Sequence, residues 1–293
     1  MYDIQALYEA SSVSEAVALL NAHPQAKIIA GGSDVLIQIR SGKLAGAELV
    51  SIYGIDALRG ITLDEDGTIR ILPLTSFTHI TNDPIIQKYI PVLGEAVDKV
   101  GGPQVRNIGT IGGNTCNGVT SADSASTLFA LDAVMELTGS NGTRQLPIQE
   151  FYVGPGKVAL AHDELETAIL IRKASYEGYF GYYLKYGMRN AMEIATTGCS
   201  VNLKLSSNKK NFEDVRIAYG VAGPVPMRVP SAEAMIKGKP VSTESIEACV
   251  NEILKDIHPR DSWRASKAFR EHIAVEMARR GLTESIRRAG GEL

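Results

Sequence analysis

The sequence predicts an α+β protein: two lobes at about 1–58 and 59–176, then a C-terminal α+β domain over 177–293. Three observations predict it. The chain has 293 residues, a length suited to two domains or to one domain with lobes. Apolar residues recur with helical spacing in some segments and alternate with period two in others. Two glycine-rich stretches, 28–37 and 107–114, lie about 80 residues apart and punctuate the first part of the chain.

Taken in order, the first element is a helix. Ser12 and Glu15 form a capping box, in which the serine hydroxyl and the glutamate each satisfy a free N–H at the helix start. Val13, Ala16, Val17 and Leu20 then share one face. Lys27–Ala30 reads as a buried strand, broken by Gly31-Gly32, after which Val35, Leu36 and Ile39 resume helical spacing. Leu49–Ile52 reads as another strand, and Ile61–Leu63 with Thr68–Leu72 as a hairpin around Asp64-Glu65-Asp66-Gly67. Helices are expected near Phe77–Thr81 and Pro91–Val100. The stretch from Gly101 to Asp123 has neither period and reads as a long functional loop. A helix over Ser124–Leu131, a hairpin of Ala133–Thr138 and Thr143–Ile148, and a strand over Glu166–Ile171 follow.

A Tyr/Gly-rich run from Tyr176 to Tyr186 marks a domain boundary near 175–178. Val201, Leu203 and Leu205, then Val215, Ile217, Tyr219 and Val221, predict an antiparallel pair with one buried face, joined by a turn at Asn208–Asn211. Pro224, Pro226 and Pro230 are expected to end that sheet. Helical patterns around Glu244–Lys255 and Ala265–Arg279 finish the chain.

Composition excludes several classes. Hydrophobic residues at 44% and charged residues at 22% are globular values, which excludes disorder as the main state. The net charge of −3 lacks the basic excess of a strong nucleic-acid binder. No apolar run approaches a membrane span and the N-terminus has no signal-peptide pattern, so a cytoplasmic protein is expected. Cys116, Cys199 and Cys249 are scattered, one short of the usual four-cysteine iron–sulfur set, and the histidines show no zinc spacing.

The chemistry concentrates in the two glycine-rich stretches. In the first, Gly31 and Gly32 remove side chains that would hold a phosphate away, and the following helix start offers free N–H groups. Ser33 adds a hydroxyl donor, and Asp34 is expected to cap the helix or face outward, since inward it would repel phosphate. In the second, Gly109, Gly112 and Gly113 allow close backbone approach, Thr110 and Asn114 supply uncharged donors, and a side chain at Gly112 is expected to enter the diphosphate path. Arg106 reads equally as a surface ion-pair residue. Neither stretch is the nicotinamide G-x-G-x-x-G fingerprint or a P-loop. Two such loops suggest one diphosphate ligand clamped between lobes.

IIAGGSDVLI (28–37), PQVRNIGTIGGN (103–114) and SADS (121–124) together resemble the FAD-binding subunit of molybdenum hydroxylases, the family of xanthine, carbon monoxide and nicotinate dehydrogenases. The resemblance covers nearly the whole chain, and PRDSWRASKAFREHI (259–273) is similar to the bacterial three-subunit xanthine dehydrogenases. It implies the two-lobed FAD-binding fold of the vanillyl-alcohol-oxidase and CO-dehydrogenase flavoprotein type. It implies that Lys27, Ile28, Ile29, Ala30, Gly31, Gly32, Ser33 and Asp34 wrap the FAD diphosphate. Gly101, Gly109, Thr110, Ile111, Gly112, Gly113 and Asn114 hold it from the second loop. Asp123 is an acidic FAD contact, Leu165 a main-chain contact on the adenine side, and Lys185 a lysine near the flavin ring.

The first loop lacks the histidine of covalent flavoenzymes, so FAD is expected to be non-covalent. Val100 stands where animal relatives place an aromatic residue over the flavin. Tyr182, Tyr183 and Tyr186 are the alternatives, with core packing the commoner fate of such tyrosines. The resemblance also implies partners: an iron–sulfur subunit with [2Fe–2S] clusters and a subunit with the molybdenum cofactor. NAD⁺ is the expected acceptor and xanthine or another purine the expected substrate. No residue of this chain is expected to act as nucleophile or general acid. The alternatives are a self-sufficient flavin oxidase or reductase, a nicotinate- or CO-dehydrogenase-type complex, and a non-catalytic nucleotide-binding module.

Overall fold

The computed structural model describes residues 2–293. Its first strand, β1 (Ile4–Glu9), is half exposed and precedes α1 (Val13–Ala22). Ser12 caps α1 by accepting from the Glu15 N–H at 3.1 Å. Glu15 reaches back one residue further than the expected box, accepting from the Ser11 N–H at 2.8 Å. Then come β2 (Lys27–Ile29), α2 (Val35–Arg40) and β3 (Ala47–Ser51). The three strands form a parallel sheet in the order β1-β3-β2. Leu20, Val50, Ile52, Ile55, Leu74 and Leu165 belong to the core beneath it. Each such side chain removed from water contributes about 1.5–3 kcal/mol.

The second lobe begins with β4 (Ile61–Leu63) and β5 (Ile69–Ile71), then α3 (Phe77–Asn82), α4 (Pro84–Tyr89) and α5 (Pro91–Val97). The stretch after Gly101 is not the structureless loop its composition suggested. It holds α6 (Pro103–Ile108) and α7 (Ile111–Cys116), followed by α8 (Asp123–Ala130). Pro103 opens α6 at a position whose N–H needs no partner, and Thr110 caps α7. Six residues are too few to display a helical period. The lobe continues through β6 (Val134–Gly139), β7 (Gly142–Pro147), α9 (Ile148–Phe151), β8 (Tyr152–Gly154), β9 (Lys157–Val158), β10 (Leu165–Ile171) and α10 (Lys173–Tyr176). Its five-stranded antiparallel sheet runs β4-β5-β10-β6-β7.

The C-terminal part pairs β11 (Phe180–Tyr186), β12 (Thr197–Leu205), β13 (Phe212–Gly220) and β14 (Met227–Arg228) in sequence order. Helices α11 (Pro230–Ile236), α12 (Thr243–Glu252) and α13 (Lys267–Arg288) follow. Two expectations are corrected here. The prolines do not end the sheet, because Met227 and Arg228 return to pair with Tyr219 and Ala218. Nor has the β12–β13 pair a single buried face. α13 packs against β12, and α8, buried at all eight residues, also packs against both strands. This burial brings Asp123, at the start of α8, to β11 and its Lys185.

Candidate functional site

The first glycine stretch links β2 to α2. The Ile29 carbonyl is taken by the Ile52 N–H at 3.1 Å, which ends the strand. Gly32 has φ +74°, and the chain turns there into α2. Among the described residues, the N–H groups of residues 31–35 donate no hydrogen bond to the protein. Gly31, Gly32 and Val35 are buried or half-buried, Ser33 and Asp34 are exposed, and free N–H groups at a helix start offer donors to an external acceptor. Asp34 is exposed and accepts from the Gln38 side-chain amide. It occupies the N-cap position of α2 without a side-chain capping bond. Of the two roles expected for it, the capping one is not seen.

The second stretch is strapped to the segment before α3. Ile111 N–H donates to the Thr75 carbonyl at 3.1 Å and Gly112 N–H to the Pro73 carbonyl at 2.9 Å. Thr110 Oγ1 accepts from Gly113 N–H at 3.2 Å. A Cβ on Gly112 would lie 2.4 Å from Pro73 Cβ and 2.9 Å from Pro73 O. The reason expected for this glycine is therefore corrected: a side chain there would strike the Pro73 strap, not enter a ligand path. Gly113 is exposed instead, and Asn114 is fixed by Ser124 Oγ, which donates to Asn114 Oδ1 at 2.7 Å.

The two stretches meet backbone to backbone. A Cβ on Gly31 would stand 1.9 Å from the Ile108 carbonyl oxygen. Between them and the start of β10 lies a cavity of about 480 Å³. That is within the roughly 300–1,000 Å³ of small-molecule sites. Lys27, Ile28, Ala30, Gly31, Gly32, Ser33 and Asp34 line it from the first stretch; Thr110, Gly112, Gly113 and Asn114 line it from the second; Leu165 lines it from β10. A second cavity of about 490 Å³, between the second lobe and β11, carries none of these residues. The chemistry of the donors, not size, distinguishes the first.

Six expected residues stand outside the lining: Ile29, Gly101, Gly109, Ile111, Asp123 and Lys185, as does Arg106. The Ile29 side chain lies beside Gly32, and Ile111 is fully buried in the core. Gly109 packs on Phe77, and Gly101 precedes α6. Arg106 donates to the Val100 and Gly101 carbonyls at 3.1 and 3.4 Å and pairs with Asp98 at 3.2 Å, the ion-pair reading of that residue. Asp123 and Lys185 form a buried pair with each other. Lys185 Nζ donates to Asp123 Oδ2 at 2.7 Å and to the Lys99 carbonyl at 2.9 Å, while Tyr183 Oη donates to Asp123 Oδ1 at 2.7 Å. Burial pushes the Asp123 carboxyl above its ordinary range, and Lys185 and Tyr183 pull it partly back. Val100 lines the cavity. Tyr182 lies under the Arg288 guanidinium and Tyr186 meets Phe269 edge-on, so these two, like Tyr183, pack elsewhere.

Several lining residues were assigned no role from the sequence, and Glu166 is the buried carboxylate among them. Glu166, at the second position of β10, is buried against the cavity wall. Its Oε2 accepts from Thr115 Oγ1 at 2.7 Å and lies 3.4 Å from Cys116 Sγ. Burial drives its pKa up to about 8. A carboxylate leading the otherwise apolar run AILI was the available signal. Because the folded value exceeds the ordinary one of about 4.5, its contribution to stability is fully present below pH 4.5 and is lost as pH rises through 8. The Glu166→Gln chain is expected to lack this part of the slope and to gain a few kcal/mol over wild type at the alkaline end, at about 1.4 kcal/mol per pH unit. Urea denaturation at several pH values across that window checks this; parallel profiles for the two chains would contradict it.

The free amides of residues 31–35, the glycines that admit close approach and the Ser33 hydroxyl fit a dinucleotide diphosphate. Fold and site together define a dinucleotide-binding flavoprotein. The chain belongs to the family described as the FAD binding domain in molybdopterin dehydrogenase, which matches residues 2–172, with the CO dehydrogenase flavoprotein C-terminal domain matching residues 182–285. It is an FAD-binding oxidoreductase subunit of the molybdenum hydroxylase family.

Among particular proteins, it is 42% identical over 293 residues to the xanthine dehydrogenase FAD-binding subunit of Escherichia coli O157:H7, covering 100% of both chains. It is 30% identical over 272 residues to the carbon monoxide dehydrogenase medium chain of Hydrogenophaga pseudoflava, covering 92% of this chain and 93% of that one. A solved carbon monoxide dehydrogenase chain from H. pseudoflava superposes with a TM-score of 0.92 at 29% identity, covering 99% of each. Among the described residues, no helix is long and apolar enough to cross a membrane.

Proposed function

We propose that this chain is the electron-exit subunit of a multi-subunit xanthine or purine dehydrogenase, with residues 1–176 as its FAD-binding domain and 177–293 as its C-terminal domain. One partner carries [2Fe–2S] clusters and another the molybdenum cofactor, and NAD⁺ is the acceptor. The observation that carries the FAD site is the row of unpartnered N–H groups on residues 31–35, which line the cavity where Gly31 closes on Ile108. The full-length similarity to a xanthine dehydrogenase subunit favours a purine over nicotinate or carbon monoxide.

In this reading FAD is held non-covalently and supplies the conversion between one-electron carriers and a two-electron hydride acceptor. Lys27–Asp34 grip the diphosphate through backbone N–H groups and the Ser33 hydroxyl. Thr110, Gly113 and Asn114 close on it from the second loop, with Gly101, Gly109, Ile111 and Gly112 shaping that wall. Leu165 offers its main chain on the adenine side. Asp123 and Lys185 fix α8 against β11, and as a pair 2.7 Å apart they bring little net charge. No side chain of this chain exchanges a proton with a substrate.

The purified chain loaded with FAD, mixed anaerobically with NADH, is expected to lose its yellow flavin absorption. Xanthine alone is expected to leave that absorption intact until the partner subunits are added. Flavin that stays oxidised with NADH would contradict NAD⁺ as the acceptor. Reduction by xanthine without partners would identify a self-sufficient oxidase instead.

A further inference from the structure

The chain's one tryptophan stands in the open. Trp263 lies in the turn before α13 and is 76% exposed, more than any other large apolar side chain among the described residues. Its setting is nevertheless braced. Ser262 and Ala265 exchange N–H to carbonyl bonds of 3.0 and 3.2 Å. Ser262 Oγ accepts from Arg264 N–H at 3.2 Å and from Arg270 Nη2 at 2.8 Å, and Asp261 Oδ1 accepts from Lys267 N–H at 2.7 Å. The Arg264 guanidinium lies over the indole, 4.4 Å from its centroid. A tryptophan held by such a turn loses little freedom on association, and Trp and Arg are the side chains that most often carry protein–protein affinity.

The same turn carries charge without a counter-ion. Arg260, Arg264 and Arg270 form no ion pair among the described residues. Arg270 is buried and donates from Nη1 to the Thr196 carbonyl at 2.6 Å. Burial and the like charges of Arg260 and Arg264 work against its own charge, and Asp261 alone supports it. A buried cation with no carboxylate beside it is costly. Arg270 is sealed, but Arg260 is exposed and Arg264 half-buried, so these two are the side chains an anion can reach.

The shape and place of the turn indicate what brings the anions. Neither cavity described above includes a residue of 260–267, so there are no walls to enclose a small molecule. Three arginines in a chain of net charge −3 fall short of the basic stripe that nucleic acid requires. An acidic protein surface meets both conditions. Phe269, on the first turn of α13, meets Tyr186 edge-on. Tyr186 follows Lys185, which donates to the Lys99 carbonyl, next to Val100 in the cavity wall. The turn is thus joined to the Val100 end of the cavity, and the partner that has to approach that cavity with electrons is the one carrying iron–sulfur clusters.

We propose that the turn at 260–264 docks an acidic face of the iron–sulfur subunit, with Trp263 buried in the contact and Arg260 and Arg264 paired with carboxylates of that subunit. The proposal rests on the reading of this chain as the electron-exit subunit of a multi-subunit complex.

The test uses the full-length FAD-loaded chain labelled with fluorotryptophan, which gives one fluorine NMR signal because the chain has one tryptophan. Adding the unlabelled iron–sulfur subunit is expected to shift and broaden that signal. By analytical ultracentrifugation, Trp263→Ala and Arg260→Glu are each expected to bind that subunit about tenfold or more weakly than wild type, with FAD content unchanged. Added salt is expected to weaken the wild-type complex more than that of Arg260→Glu. A signal that stays in place while the complex forms, or wild-type affinity in both variants, would overturn the proposal. So would a shift produced instead by the molybdenum subunit, by anionic phospholipid vesicles or by concentrating the chain alone. Failure of the wild-type chain to bind any partner subunit would overturn the reading of the chain as a subunit, and the dock with it.

Discussion

Gly31→Ala is expected to bind FAD about a hundredfold more weakly than wild type. The added methyl would sit 1.9 Å from the Ile108 carbonyl oxygen and 2.8 Å from its carbon. Both atoms are backbone, so no side-chain rotation relieves the contact. The two loops must separate, and the N–H groups of residues 31–35 then lose their common aim. A charge-assisted hydrogen bond contributes about 1.5–3 kcal/mol, and misdirecting one or two gives roughly the expected factor. Gly54→Ala is the control, because a Cβ there meets nothing within 4 Å. Fluorescence titration of FAD into the stripped chains measures both. Equal affinity in Gly31→Ala and wild type would show that the loop contact does not shape the site.

Lys185→Met is expected to destabilise the chain by about 3–5 kcal/mol at neutral pH, because it leaves one half of a buried ion pair. Side-chain exposure is 11% for Lys185 and 6% for Asp123, so solvent does little to compensate. The sign of the pH dependence follows from Asp123. Its pKa is already raised by burial, and loss of Lys185 removes the strongest opposing influence. Stability associated with a raised carboxyl is present below the ordinary value near 3.8 and is lost as pH rises through the folded value. The deficit of Lys185→Met is therefore expected to shrink as pH falls toward 4. Asp123→Asn in the same chain should recover much of the loss at neutral pH, since the pair is coupled. Denaturant titration of the four chains of this cycle measures it. A deficit constant with pH and untouched by Asp123→Asn would show that Lys185 acts through packing alone.

The legible parts of the sequence were those with local chemistry. Ser12 marked α1, Gly31-Gly32 marked the turn after β2, and alternation over 201–221 marked β12 and β13. Edge strands were harder to see. β1 and β11 lie at the margins of their sheets, and β11 carries Gly181 and several tyrosines in place of a clean alternation. α6 and α7 escaped notice because six-residue helices depend on caps and on the Pro73–Thr75 strap, which is a tertiary contact. The glycine positions were readable, but the direction of each missing side chain was not. Gly112 faces Pro73 and Gly31 faces Ile108, and both facts need coordinates. The Asp123–Lys185 pair joins residues 62 apart in the chain, and Glu166 becomes notable only once Thr115 and the cavity stand beside it.

Amide hydrogen exchange of the full chain with and without FAD tests the convergence of the two loops most directly. Peptides covering Gly31–Val35 and Gly109–Asn114 are expected to gain protection together, at one FAD per chain, while those of α12 stay unchanged. Protection of only one loop, or FAD bound with neither loop protected, would contradict a single site clamped between them.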